Sequence, residues 1–194
     1  MADDSISKPH IENDQRSGNR KVILYIAMSL DGYIATRDDD LGFLSVVEQE
    51  GEDYGYADFV KSVDTVIVGR KTYDKVRSMG YEFPYNDKDA YIITRTARPS
   101  VGSVKFYTDS LKDLVVRLKS EAGKHIFVDG GAEIVNELLN NNLIDEFYIS
   151  VIPVLLGDGI SLFKSGRPEI GLKLIGSKSF NKGLVQLHYM RIAN

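Results

Sequence analysis

Apolar residues along the chain follow two different spacings. Nearly continuous apolar runs occur at 22–28, 66–68, 90–94, 125–128 and 144–154. The run at 66–68, β-branched and without a polar residue, predicts a fully buried strand, the run at 22–28 another buried strand, and the others strands, with 144–154 a long one. A shorter strand is predicted at 103–107. Elsewhere apolar positions recur every three or four residues, as one face of a helix requires. Tyr73 and Val76 do so after Gly69, with Gly80 near the close. Leu111, Leu114, Val115 and Leu118 do so behind Ser110 and Asp113, which are spaced as a helix cap, with Gly123 as the stop. Ile134, Val135, Leu138 and Leu139 form a third stripe, and Tyr54, Tyr56, Phe59 and Val60 predict a short helix before the strand at 66–68.

The remaining stretches read differently. Residues 1–20 are polar and of mixed charge, with little that is apolar beyond Ile6 and Ile11. They predict a disordered leader ahead of one domain at 21–194. Asp31-Gly32 fits a hairpin turn, but 36–40 is too polar for a returning core strand, so a loop over the end of the first strand is expected. The stretch 41–53 has no clear period and receives no element. At the far end, 172–179 and 184–192 flank Asn181-Lys182-Gly183 and predict a hairpin. Strands alternating with helices and closed by a hairpin predict an α/β fold, its sheet mostly parallel with an antiparallel edge.

Composition narrows the chemistry. The 194 residues suit one domain with a proper core. A net charge of −4 argues against a general nucleic-acid or membrane-surface binder, while leaving room for a local basic pocket. With no cysteine, disulfides, thiolate metal sites and thiol nucleophiles are excluded. His10, His125 and His188 show no ligand spacing, so no metal site is expected. No apolar run approaches the roughly eighteen residues of a membrane span, and no signal core is present. A cytoplasmic protein is expected.

Three turns share one layout of buried strand, small or cationic residues, then helix or loop: Gly69-Arg70-Lys71-Thr72, Thr94-Arg95 and the turn from Gly130-Gly131 to Glu133. Parallel strands would bring all three to the carboxyl edge of the sheet, where open α/β sheets bind ligands. Glycines let backbone approach a pyrophosphate, helix N-termini offer free N–H groups, and arginine can hold a phosphate with two bonds. The plain alternative is glycines that end strands and cations that are solvated. Gly157-Asp158-Gly159 has Leu162 where a dinucleotide fingerprint needs its third glycine, and no phosphate-binding lysine loop, serine elbow or zinc helix occurs.

Four segments in this order, Ser29-Leu30-Asp31-Gly32-Tyr33-Ile34-Ala35, Val68-Gly69-Arg70-Lys71-Thr72-Tyr73, Val128-Asp129-Gly130-Gly131 and Pro153-Val154-Leu155-Leu156-Gly157, resemble the dihydrofolate reductase superfamily. The branch resembled is the C-terminal reductase domain of the bifunctional riboflavin-biosynthesis deaminase/reductase. The resemblance implies a three-layer dihydrofolate reductase-like fold binding NADPH, from which a hydride is transferred. It implies that Gly69, Arg70, Lys71 and Thr72 hold phosphate, helped by Thr94 and Arg95. Gly130, Gly131, Ala132, Glu133 and Ile134 would line the diphosphate and nicotinamide side, and the backbone at Ala27 and Ile34 would meet the carboxamide. Asp129 matches an acidic position facing the nicotinamide and is the catalytic candidate; the plain reading is an acid favouring a helix dipole. Ser29, Asp31 and Leu156 are the substrate-side candidates, although Asp31 also reads as an Asp-Gly turn residue. The substrate expected is a small heterocycle or a ribosylaminopyrimidine phosphate. Dihydrofolate is the runner-up, weakened by the absence of tryptophan and by Gly55 standing near the expected carboxylate, with Asp53 and Asp58 close by. Binding of the nucleotide without turnover is the other alternative. A homodimer is expected by the same resemblance.

Overall fold

The computed structural model describes residues 20–80 and 82–192. The expected leader therefore lies outside the described residues except for Arg20. That residue is buried, with its guanidinium paired to Asp64 and bonded to the Thr65 hydroxyl and to the carbonyls of Leu118 and Lys124.

The chain forms β1 (Val22–Ser29), β2 (Tyr33–Ala35), a 3-10 helix at Gly42–Val47, α1 (Tyr56–Lys61), β3 (Val63–Gly69) and α2 (Arg70–Ser78). There follow β4 (Asp89–Ile93), β5 (Val104–Tyr107), α3 (Leu111–Ser120), β6 (His125–Gly130), α4 (Ala132–Asn140) and β7 (Glu146–Ile152). The chain closes with β8 (Ile160–Ser161), β9 (Leu172–Ser179) and β10 (Val185–Arg191). Eight strands make one sheet in the order β5-β4-β3-β6-β1-β7-β10-β9. The first six run parallel, and β10 and β9 are antiparallel additions. The predicted α/β architecture is the observed one.

Alternation along the strands separates two cores. Val22, Leu24, Ile126 and Val128 face α3 and α4, meeting Leu114, Val115, Val135 and Leu138. Ile23, Val66, Val68 and Phe127 face the opposite way, toward Phe59 of α1 and the buried Phe83 and Tyr85. The result is three layers. The predicted cap is present: the Ser110 hydroxyl accepts from the Asp113 N–H at the start of α3. Leu114 is fully buried, so truncating it to alanine costs about 2–5 kcal/mol.

Three expectations need adjustment. The strand at 125–128 runs on through Asp129 to Gly130, because Val68 of β3 still pairs with Gly130. The loop after β1 holds a three-residue strand, β2, which pairs with β8 in a separate ribbon rather than joining the sheet. The unassigned stretch contains the 3-10 helix, which buries Phe43 and Val47; two apolar contacts are too few to produce a helical period in the sequence.

Candidate active site at the carboxyl edge of the sheet

β3 and β6 are neighbours, so the helices that follow them begin side by side. The N-cap of α2 is Gly69 and that of α4 is Gly131, neither with a side-chain cap. The first N–H groups of two helices thus face one rim without a side chain to satisfy them, which suits an anion. A Cβ on Gly69 would stand 3.3 Å from the Gly131 nitrogen and 3.4 Å from Ile134 Cγ1. One on Gly131 would meet the Thr72 hydroxyl at 3.5 Å. Gly130 has a different need: its φ of +119° is strained for any L side chain. The peptide joining Gly130 to Gly131 is cis.

Cations surround this rim. Arg70 Nη1 bonds Asp74 Oδ2 at 2.9 Å, and Arg98 Nη1 bonds Asp74 Oδ1 at 3.0 Å. These bonds, Arg98 first, hold the Asp74 carboxyl below the usual carboxylate range. Arg98 also lies over the Phe106 ring, 5.4 Å from its centroid. Sequence reasoning missed Arg98; its signal was a fourth cation in the same stretch as Arg95. Lys71 and Arg95 are exposed. Thr94 is buried, and its hydroxyl braces its own turn through Thr96. In the first turn of α4, Ala132 and Ile134 are buried and contribute wall, whereas Glu133 is exposed.

On the face of the sheet shared by Tyr25 and Phe127 lies a cavity of ≈ 510 Å³. Ala27 of β1 and Ser150 and Ile152 of β7 form its floor, and Leu44, Tyr54 and Tyr56 are among its walls. Much of the lining comes from 41–56, the part of the chain with least pattern. Asp129, next along β6 from Val128, is half-buried. Burial pushes its carboxyl up to about 6, against a downward pull from the hydrogen-bonding Tyr85 hydroxyl. Tyr85 in turn meets Tyr56, with the two hydroxyl oxygens 2.8 Å apart.

The expected substrate-side residues form a different device. Ser29 is fully buried; its hydroxyl bonds Asp31 Oδ1 at 2.5 Å and accepts the Tyr33 N–H at 2.9 Å. Asp31 accepts from the N–H groups of Leu156 at 3.1 Å and Gly157 at 2.7 Å. The Ser29 bond first, then those of Gly157 and Leu156, keep the Asp31 carboxyl below its ordinary range. Ser29 and Asp31 therefore clasp the loop after β7 to the end of β1, with their polar atoms turned into the clasp. Leu156 packs beside Phe43 and Ile152, which joins that loop to the cavity wall. Ile34 packs on the α3/α4 core, below the rim. Asp53 spends both oxygens on the N–H groups of Gly55 and Ala57 at the start of α1, and Asp58 pairs with Lys61 at the surface.

A mostly parallel sheet with a glycine-lined, cation-rimmed carboxyl edge, closed by an antiparallel hairpin, defines a dihydrofolate reductase-like α/β protein. The dihydrofolate reductase of Enterococcus faecalis, solved with NADP(H), shares the fold at a TM-score of 0.63 and 15% identity, over 91% of this chain and 99% of that one. Within that class the family is plain: residues 20–186 match the RibD C-terminal domain, and the chain belongs to that family. YwjB of Bacillus subtilis (strain 168) is 46% identical over 173 residues, 89% of this chain and 98% of YwjB. A crystal structure from Shewanella sp. PV-4, ascribed to riboflavin biosynthesis, superposes at a TM-score of 0.81 with 30% identity, over 89% of this chain and 99% of that one. The diaminohydroxyphosphoribosylaminopyrimidine deaminase/5-amino-6-(5-phosphoribosylamino)uracil reductase of Thermotoga maritima shares the fold at 0.67 and 14% identity; the match spans 89% of this chain but 57% of that one.

Proposed function

We propose that this protein is an NADPH-dependent reductase of a small heterocyclic substrate, of the ribosylaminopyrimidine type. The observation that carries the reading is the meeting of two uncapped helix N-termini at Gly69 and Gly131, too close for a side chain on Gly69 without displacement. Such a cradle fits a pyrophosphate, because backbone N–H groups and helix dipoles act on it together. Arg70, Arg98, Lys71 and Arg95 fit a further phosphate beside it, and this favours NADPH over NADH. Reduced nicotinamide, when bound, supplies the hydride, and the protein supplies orientation and electrostatics. The floor at Ala27 and the cavity above it offer room for a planar heterocycle. Burial pushes the Asp129 carboxyl up to about 6, so around that pH a substantial fraction is protonated and can supply a proton for a reduced nitrogen or oxygen. Support also comes from family membership and from the neighbours whose fold carries reductase activity.

Dihydrofolate is the weaker substrate, since Asp53 is committed to capping α1 and Asp58 to Lys61. The experiment is NADPH oxidation followed at the reduced-nicotinamide band, with 5-amino-6-(5-phosphoribosylamino)uracil and dihydrofolate in parallel. Oxidation with the first supports the proposal. Tight binding without oxidation of either favours a nucleotide-binding role.

A further inference from the structure

The cavity and Asp129 are not in direct contact: Tyr56 is part of the cavity wall and Asp129 is not. What lies between them is a pair of phenols. The Tyr56 and Tyr85 oxygens are 2.8 Å apart, and Asp129 stands two residues beyond Phe127 on β6, on the sheet face where Tyr85 packs, with the Tyr85 hydroxyl pulling its carboxyl down. Both rings are held edge-on to Phe127, with centroids 6.4 Å away for Tyr56 and 5.8 Å for Tyr85. Phe83 packs edge-on to Tyr85 from the other side at 5.2 Å. Tyr85 is almost wholly buried. Two hydroxyls fixed in this way, in an otherwise aromatic core, need a reason beyond packing, since phenylalanine would fill the same space without a polar atom to satisfy.

We infer that Tyr56 and Tyr85 form a proton path from Asp129 to the cavity, with Tyr56 as the group that meets the substrate. The inference rests on the reductase reading above. As the hydride adds to carbon of a C=N or C=O bond, the nitrogen or oxygen takes the Tyr56 proton. Tyr85 returns a proton to Tyr56, and the Asp129 carboxyl returns one to Tyr85, ending as carboxylate. Water restores the Asp129 proton after release. Every O–H bond broken along the path is matched by one formed, and reduced nicotinamide is the reductant.

The environment suits relay rather than ionisation. Burial pushes Tyr56 up to about 12 and pushes Tyr85 higher still, so neither phenol holds charge near neutral pH. The titratable groups bearing on this path are Tyr85 from the segment before β4, Tyr56 from α1 and, beyond it, Tyr25 from β1.

The test is the titration of the Asp129 carboxyl by ¹³C NMR in the full chain, for the parent, Tyr85→Phe and Tyr56→Phe. Loss of the Tyr85 donor raises the Asp129 midpoint by about half a unit or more. Loss of Tyr56 raises it less, through the weakened Tyr85 donor. With NADPH and the active substrate, Tyr56→Phe lowers kcat by roughly 10²-fold with KM and NADPH affinity kept. A midpoint unmoved in both variants, or an unchanged kcat in Tyr56→Phe, overturns the path and leaves the reductase reading standing. Failure of the parent to bind NADPH removes the reductase reading instead, and with it the path's role, even where the midpoints move.

Discussion

Gly69 and Gly131 stand so close that a methyl group on the first would press to 3.3 Å from the backbone nitrogen of the second. Gly69 has an ordinary extended backbone, φ −69° and ψ 144°, which any residue adopts. Its glycine answers to proximity and not to conformation. Gly69→Ala should therefore leave the fold intact while filling the space where the two helix N-termini converge. The expected result is NADPH binding weakened about tenfold or more, equivalent to about 1.4 kcal/mol, with the melting temperature nearly unchanged. Calorimetric titration beside a thermal melt reads both.

The cations at the rim are partly neutralised by one carboxylate. Asp74 holds both Arg70 and Arg98. Arg70→Ala should weaken NADPH roughly tenfold while leaving NADH unchanged, because only NADPH carries the extra phosphate. Asp74→Asn should act oppositely, tightening NADPH several-fold by releasing two guanidiniums. Equal effects of Arg70→Ala on the two nucleotides would remove the phosphate assignment at this turn.

Asp129 should leave a mark on stability as well as on chemistry. Its folded value of about 6 lies above the ordinary 3.8. A raised carboxyl favours the folded state below the unfolded value, and that benefit is lost as pH rises through about 6. Asp129→Asn should thus stabilise the protein at pH 8 relative to the parent by about 2–3 kcal/mol, and do little at pH 4. Glu146 has the opposite sign. Burial alone would raise its carboxyl, but hydrogen bonds from Lys21 and His188 outweigh that and hold it below the ordinary 4.5. Its contribution is present above 4.5 and fades as pH falls through the folded value. Denaturant melts of the parent, Asp129→Asn and Glu146→Gln across pH 3–9 separate the two.

The clasp made by Asp31 predicts a local effect. Removing its carboxylate frees the N–H groups of Leu156 and Gly157 and unties the loop after β7 from β1. Asp31→Ala should be cut by a nonspecific protease near 155–159 faster than the parent, with the core sheet unaffected. Mass analysis of the early fragments locates the cut.

The sheet was readable in the sequence because strands buried on both faces leave unbroken apolar runs, as at Val66, Ile67 and Val68. The rim was readable because its glycines and cations fall directly after those runs. The cavity wall was not. Leu44 and Val47 come from a 3-10 helix, and Tyr54 from the loop before α1 rather than from the short helix expected to include it, and contacts of this kind follow no fixed spacing. Ser29 shows a second limit. The resemblance made it a substrate-side candidate, yet its hydroxyl is turned inward to serve Asp31 and Tyr33, a choice set by the loop after β7, more than a hundred residues away. Arg98 and Tyr85 joined the site for the same reason, through packing that no local pattern encodes.

A dinucleotide held where β3 and β6 hand over to their helices is tested most directly by calorimetric titration of the full chain with NADPH and NADH. The prediction is saturable one-to-one NADPH binding, at least tenfold tighter than NADH and weakened about tenfold or more in Gly69→Ala. No heat with either nucleotide, or binding that Gly69→Ala leaves untouched, would contradict it.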